Sequence, residues 1–372
     1  MRKRRWRLSM LAVVAALAAG VLLAACGDDD DDGGGGGGGG GGGSGSIAWL
    51  LPESKTARYE SQDNPNFQKK VKELCSGCEI LYSNADQDAA KQQQQAEAAI
   101  TKGAKVMVLD PVDAASAGAI VTRAKQSNIP VVSYDRLITD ADIDYYISFD
   151  NVEVGRLQGE SLVKKLDEDG AKGSIVMIHG APTDNNATLF KKGAHSVIDD
   201  SSFKVAKEYD TPDWSPDKAQ QEMEQAITAV GDGGFVGVYA ANDGTAGGAI
   251  AAMKSAGIDP KTRPTTGQDA ELAAIQRILV GEQYMTVYKA IKPEAEAAAE
   301  LAVALVQDKK PPSGLVNDKV DNGMEQVPSV LLKPVAVTKD NVQDTIVKDG
   351  FWKASEICTG KYASACKQAG IE

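Results

Sequence analysis

Short β-rich runs alternate with longer amphipathic stretches along most of this chain, and that alternation limits the possible folds more than any other feature. Ile47–Leu51, Glu79–Tyr82, Lys105–Leu109, Pro130–Ser133 and Tyr145–Ser148 have the composition of strands. Asn64–Cys75, Gln87–Thr101 and Asp113–Gln126, between the first four, have the apolar spacing of helices. Within the second of these helices the polar run Gln92–Gln95 reads as a solvated turn. A second series follows: helix Asn151–Leu166, strand Gly173–Ile178, helix Asn185–Asp199, strand Phe203–Tyr209, helix Ser215–Val230, strand Phe235–Tyr239 and helix Thr245–Ala256. Apolar strands alternating with helices imply parallel sheets covered on both faces. Two such series in 372 residues predict an α/β protein of two doubly wound lobes.

The N-terminus is set apart by composition. Arg2, Lys3, Arg4, Arg5 and Arg7 form a basic head, and the run from Leu8 to Ala25 is apolar but for Ser9 and Gly20. That is the pattern of a secretory signal, with an uncleaved anchor as the alternative because the run is barely long enough to span a bilayer. Leu23-Ala24-Ala25-Cys26 resembles the lipobox of bacterial lipoproteins, which implies a signal peptide over residues 1–25 and a lipid on Cys26. Both readings put the body outside the cytoplasm. Residues 26–46 hold Asp28 to Asp32 and the glycines Gly33 to Gly43, a composition that cannot bury apolar surface and predicts a disordered tether. About twenty such residues reach roughly 25 Å. No strand precedes the glycine run and no Gly-Lys-Ser/Thr follows it, so it does not read as a phosphate loop.

A net charge of −12 argues against nucleic-acid binding and keeps the body off an anionic membrane surface. Cys26 apart, Cys75, Cys78, Cys358 and Cys366 remain, an even number that favours disulfides outside the cell. The expected pairs are Cys75–Cys78 and Cys358–Cys366, each closing a local loop. A thioredoxin-like site at Cys75–Cys78 is one alternative, although Cys78 runs into a strand where redox motifs open a helix. A zinc site made from all four is another.

In doubly wound folds ligands sit at the carboxyl ends of the strands. Those ends carry Arg58 and Tyr59, then Asp135 and Arg136, Asp184 and Asn186, Trp214, Asn242 and Asp243, Asp269, and Lys289. Carboxylate, amide and guanidinium forks can each bridge adjacent hydroxyls, and an aromatic face covers the C–H face of a sugar ring. The mixture suits a neutral, hydroxyl-dense ligand, whereas a phosphate would call for clustered cations. Taken singly, each residue has a plainer reading: the acids as helix caps, Asp243 above all, and Arg58 or Lys289 as solvated charges. The recurrence at successive strand ends is what points to a site.

Tyr134-Asp135-Arg136, Ile143 to Asn151, Asp184-Asn185-Asn186-Ala187, Asn242 to Ala249, Gly267-Gln268-Asp269-Ala270, Met285 to Lys289 and Asp344 to Phe351 closely resemble the D-xylose-binding group of type I periplasmic binding proteins. The resemblance runs from Ile47 to about Ser355. It implies two Rossmann-like lobes joined by three crossovers: residues 47–151 plus about 290–322, and residues 152–289 plus about 323–372. It implies sugar contacts from Arg58, Asp135, Arg136, Asn186, Trp214, Asn242, Asp269 and Lys289, with Asp184 in support and Tyr59 where a larger indole is expected. The segment Pro52 to Ala57 departs most from the pattern. The implied ligand is D-xylose, with glucose, galactose or another small polar ligand as the alternative. The implied role is that of a monomeric, lipid-anchored solute-binding component closing on a monosaccharide and handing it to an ABC transporter permease, with no cofactor and no metal.

Catalysis finds little support: the chain has two histidines, no Gly-x-Ser-x-Gly elbow and no Gly-x-Gly-x-x-Gly after its first strand. A transcription regulator of this architecture would need a DNA-binding helix pair where this chain has a secretion signal. A chemoreceptor-facing sensor would share the fold and differ only in what reads the closed form.

Overall fold

The computed structural model describes residues 44–371; the predicted signal peptide, Cys26 and nearly all of the tether lie outside them. The chain begins with β1 (Ser46–Leu51), α1 (Asn64–Leu74), β2 (Glu79–Asn84), α2 (Ala89–Thr101), β3 (Ala104–Leu109), α3 (Gly118–Gln126), β4 (Val131–Tyr134) and β5 (Tyr145–Phe149). It continues through α4 (Asn151–Glu168), β6 (Ser174–His179), α5 (Asn185–Ile198), β7 (Lys204–Asp210), α6 (Pro216–Val230), β8 (Gly237–Ala240), α7 (Asp243–Ser255), α8 (Leu272–Leu279) and β9 (Met285–Tyr288). The last part is α9 (Ile291–Val306), β10 (Asp318–Asp321), β11 (Gln326–Leu332), β12 (Val335–Thr338), α10 (Ala354–Ile357) and α11 (Ala363–Gln368).

These strands form two sheets, one per lobe. The first has the order β10-β11-β5-β4-β3-β1-β2 and is parallel except for β10. In the second, β7-β6-β8 are parallel, and bridges Val238–Thr265 and Gln268–Val287 carry the sheet on to the antiparallel pair β9–β12. β1 shows why its sequence folds this way. Ile47, Trp49 and Leu51 point to one face, against α1 and α9, while Ala48 and Leu50 point to the other, against α2 and α3. Trp49 stacks on Phe67 of α1 with ring centroids 4.2 Å apart. Burying a side chain such as Phe67 is worth ~1.5–3 kcal/mol.

The predicted strands and helices of both series are present, with local corrections. The second lobe does not resume at about 323. β11 pairs in parallel with β5, and Val327 and Val330 are buried in the first lobe's core, so the first lobe keeps the chain to Leu332. The three crossovers therefore fall at Asp150, at Lys289–Ala290 and at Lys333–Pro334. Two of them are tied together, since the Asp150 N–H donates to the Leu332 carbonyl at 3.1 Å. α3 starts at Gly118 because the Asp113 carboxylate accepts from the Ser116 N–H at 2.7 Å and makes the preceding stretch a turn. Gln92 is not solvated: it is buried, donates to the Asp110 carbonyl and accepts from the Val112 N–H, so it shapes the loop after β3.

α4 and α5 pack backbone against backbone. A Cβ on Gly155 would lie 1.9 Å from the Phe190 carbonyl oxygen, and one on Gly193 2.0 Å from that of Val152. The contact brings Asn151, at the first crossover, to within 2.8 Å of Asn186 at the start of α5. Cys75 is bonded to Cys78 beyond α1, and Cys358 to Cys366 across α10 and α11. Among the described residues no helix is long and apolar enough to cross a membrane.

Candidate functional site: a closed polar cleft between the lobes

Arg58, Tyr59, Asp135, Arg136, Asp184, Asn186, Trp214, Asn242, Asp269 and Lys289 all line one small cavity. Each of them is buried. Thr56, Phe190 and Gln268 complete the lining.

The first lobe supplies two of the site's three cations, Arg58 and Arg136. Arg58 stands at the head of a wide π-type turn, Tyr59–Asp63, that leads into α1. Its guanidinium grips Asp63 with two hydrogen bonds, at 3.0 and 2.6 Å, and also reaches Glu294 of α9 at 2.8 Å and Asp135 at 3.3 Å. The other Asp135 oxygen accepts from the Tyr59 hydroxyl at 3.1 Å. Arg136 lies 3.0 Å from Asp184 across the cleft and 3.6 Å from each of Asp110 and Glu53. The Tyr59 ring sits beneath both guanidiniums, 5.2 and 5.7 Å from its centroid.

The second lobe supplies caps, amides and aromatic faces. Asp184 caps α5 by accepting from the Asn186 N–H at 2.8 Å, and its second oxygen accepts from the Trp214 indole N–H at 3.0 Å. Asn242 caps α7 through Thr245, with the Thr245 hydroxyl bonded back. The Trp214 indole lies flat over Gly180, where a Cβ would come within 2.0 Å of the ring, so no larger residue fits beneath it. Phe190 meets Trp214 edge-on, with centroids 6.3 Å apart. Lys289 lies 3.3 Å from Asp269 and 3.5 Å from Asp135, with its ammonium over the Phe149 and Phe190 rings. Asp135, Trp214 and Asp269 have positive φ (51°, 52° and 89°), a conformation that non-glycine residues rarely adopt and that clusters at functional sites.

The electrostatics follow from burial and from an excess of carboxyls. Three cations, Arg58, Arg136 and Lys289, face Glu53, Asp63, Asp110, Asp135, Asp184, Asp269 and Glu294. Burial alone would raise the pKa of Asp135, but Arg58, Lys289 and Arg136 outweigh it and hold the carboxyl well below its usual range. Burial pushes Asp110 and Glu294 well above theirs, against the pull of Arg136 and Arg58 respectively. At or behind the cavity wall Gln268 Oε1 and Asp110 Oδ2 have no hydrogen-bond partner in the protein. Asp269 Oδ1 and Asp110 Oδ1 have only ion-pair contacts, the nearest being Lys289 at 3.3 Å for the first and Arg136 at 3.6 Å for the second. An unmade bond of this kind costs ~1–3 kcal/mol, and a ligand bearing hydroxyls would satisfy it.

Asp243 is the one strand-end residue whose reading changes. Asn242 is the cap of α7; Asp243 is buried behind the cleft, accepting from Gln283 at 2.7 Å and from Thr286 and the Glu271 N–H at 2.9 Å. Sequence reasoning missed Phe190, which reads as an ordinary apolar position of α5, and the anchor Glu294, which reads as helix surface. Its helical neighbours Ile291, Ala295, Ala298 and Leu301 are a legible signal, because they form the apolar stripe on which Glu294 also falls.

Two hinged doubly wound lobes closing on a buried polar cavity define a ligand-capturing protein. The chain matches the periplasmic binding protein domain family over residues 47–310. It is 41% identical to the D-xylose-binding periplasmic protein of Escherichia coli, over 84% of this chain and 92% of that one. It is 40% identical to the protein of the same name from Haemophilus influenzae, over 78% and 85%. A solute-binding protein of an ABC transporter from Clostridium phytofermentans, solved with bound β-D-glucose, superposes with a TM-score of 0.76 at 30% identity, covering 84% of this chain and 99% of that one. The chain belongs to the periplasmic binding proteins, a family of extracytoplasmic binding components and not of enzymes.

Proposed function

We propose that this chain is the lipid-anchored, monomeric solute-binding component of an ABC sugar importer and that its ligand is D-xylose. The observation that carries the reading is the convergence of unpartnered polar atoms and fork-shaped side chains from both lobes on one closed cavity. Asp135 and Asp269 would accept from sugar hydroxyls, while Arg58, Arg136, Lys289, Asn186 and Asn242 would donate to their oxygens. Trp214 and Phe190 offer apolar faces to the ring. Arg136–Asp184 and Lys289–Asp135 already bridge the lobes, so a sugar that adds bridging contacts favours the closed form by that difference alone. The permease then reads the closed form, and a lipid on Cys26 keeps the protein beside it.

The two relatives named for D-xylose support that sugar, and the glucose-bound neighbour supports glucose as the second reading. Calorimetric titration of the purified protein with xylose, glucose, galactose, arabinose and ribose, with tryptophan fluorescence followed in parallel, separates them. Xylose is expected to bind tightest. A preference for glucose would move the substrate within the same mechanism, and silence toward every sugar would sink the proposal.

A further inference from the structure

The chain's two histidines meet away from the cleft. His179 ends β6, and the parallel register of β6 with β7 pairs Met177 with Glu208 and His179 with Asp210. Side chains alternate along strands, so His179, Glu208 and Asp210 share the face that α5 covers. Lys191 and His195 of α5 and Asp199, the residue that caps its C-terminus, recur every fourth residue and so line one stripe. His179 Nε2 lies 3.0 Å and His195 Nε2 3.1 Å from the same Glu208 oxygen, and the three groups offer ligand atoms within 4.8 Å of one another. Neighbouring ligands of a tetrahedral Zn2+, each about 2.1 Å from the ion, lie about 3.4 Å apart.

Two further observations point to a ligand. The His179 ring is 1% exposed, yet Nδ1 has no hydrogen-bond partner in the protein and Nε2 faces the Glu208 oxygen at 3.0 Å without the alignment of a hydrogen bond. His195 Nδ1 lies 3.0 Å from Asp199 and Nε2 3.1 Å from Glu208, both carboxylates that only accept, so the ring without a metal donates from both nitrogens. A cation would displace the Nε2 proton and leave Nδ1–H on Asp199. Carboxylate–histidine pairs of this kind orient the imidazoles of metal centres. Beside His195, Glu208 has Lys191 as a counter-charge 2.7 Å from the same oxygen, but the lysine side chain is 34% exposed and also pairs with Asp210 at 3.1 Å. It can stay with Asp210 and release Glu208.

We infer that His179, His195 and Glu208 form a binding site for a divalent cation of the zinc class, with Asp199 orienting His195. Imidazole and carboxylate ligands select such an ion over Ca2+ or Mg2+, and three protein ligands leave a position open to water. The ion would pin β6, β7 and α5 together beneath Gly180 and Trp214. The inference does not depend on which sugar the cleft takes.

Calorimetric titration of the full metal-free chain with Zn2+ tests it, with metal-free thermal unfolding as the check on each variant's fold. One Zn2+ per chain is expected at this site. His195→Ala, a half-buried position, should weaken it at least tenfold, and Asp199→Asn about 10–100-fold, the range for partners that orient a ligand. Lys191→Met should tighten binding at least threefold by removing the competing cation, whereas an ion-pair cluster with no metal role would only lose stability. Uptake by His195→Ala equal to that of the native chain would overturn the site and assign the zinc elsewhere, for instance to Asp28–Asp32. Weaker binding in Lys191→Met, or no saturable binding by the native chain, would overturn it equally.

Discussion

The two rims of the cleft hold their polar groups by different means. On the first lobe Arg58 and Arg136 are locked by carboxylates from distant parts of the chain: Asp63, Glu294 and Asp135 for one, Asp110, Glu53 and Asp184 for the other. On the second lobe Asp184 and Asn242 are set by caps a few residues away, and Trp214 and Asp269 by positive-φ turns. Buried charges are costly to separate, so the first rim acts as a rigid lattice in which each member depends on the others. The second rim is built locally, and its uncharged members Asn242 and Trp214 can be lost without stranding a charge.

The sharpest way to break this comparison is Arg58→Met. It leaves Asp63, Glu294 and Asp135 without their shared cation, and a loss of ~3–5 kcal/mol is expected in urea unfolding. A loss under about 1 kcal/mol would show that the first rim is no lattice. Arg136→Ala and Asp269→Ala should each weaken sugar binding at least tenfold, about 1.4 kcal/mol, by calorimetry. They should part in stability: Arg136→Ala unfolds at clearly lower urea, whereas Asp269→Ala holds its midpoint or gains. Unaltered binding in both would refute the cleft assignment.

The smallest effect concerns pH. Behind the second rim, burial pushes Asp243 up to about 7 and Glu271 up to about 8, the second also through repulsion by Asp243; Arg277 opposes both shifts. These folded-state values lie above the unfolded ones, so between about pH 4 and pH 8 the native state binds more protons than the unfolded state. The contribution is present in full below that window and is lost as pH rises through it. The urea midpoint should decline from pH 5 to 8, and Asp243→Asn should flatten that slope. An unchanged slope would assign the pH dependence to the first rim's carboxyls.

The same contrast explains what was legible in the sequence. Asp184, Asn186, Asn242 and Asp269 could be read because strand ends and caps are local features. Asp135 and Arg136 could be read from the end of β4. The partners that hold the first rim could not. Glu294 reaches Arg58 across more than half the chain, and Gln92 shapes the loop after β3 from within a run of exposed-looking glutamines. Periodicity located β11 no better, because whether Val327 and Val330 serve the first sheet or the second is decided by pairing with β5 and not by the pattern itself.

The displaced third crossover also orders the events of folding. β11 completes the first sheet and β12, beginning three residues later, pairs with β9 in the second, so consecutive strands near the end of the chain finish both lobes. The first sheet waits for Gln326–Leu332, and the second for Val335–Thr338, to leave the ribosome or emerge from an export channel. A nascent chain that ends before β11 carries an unpaired edge on β5 and on β9, which makes Lys333–Pro334 the link through which two half-built lobes become one protein.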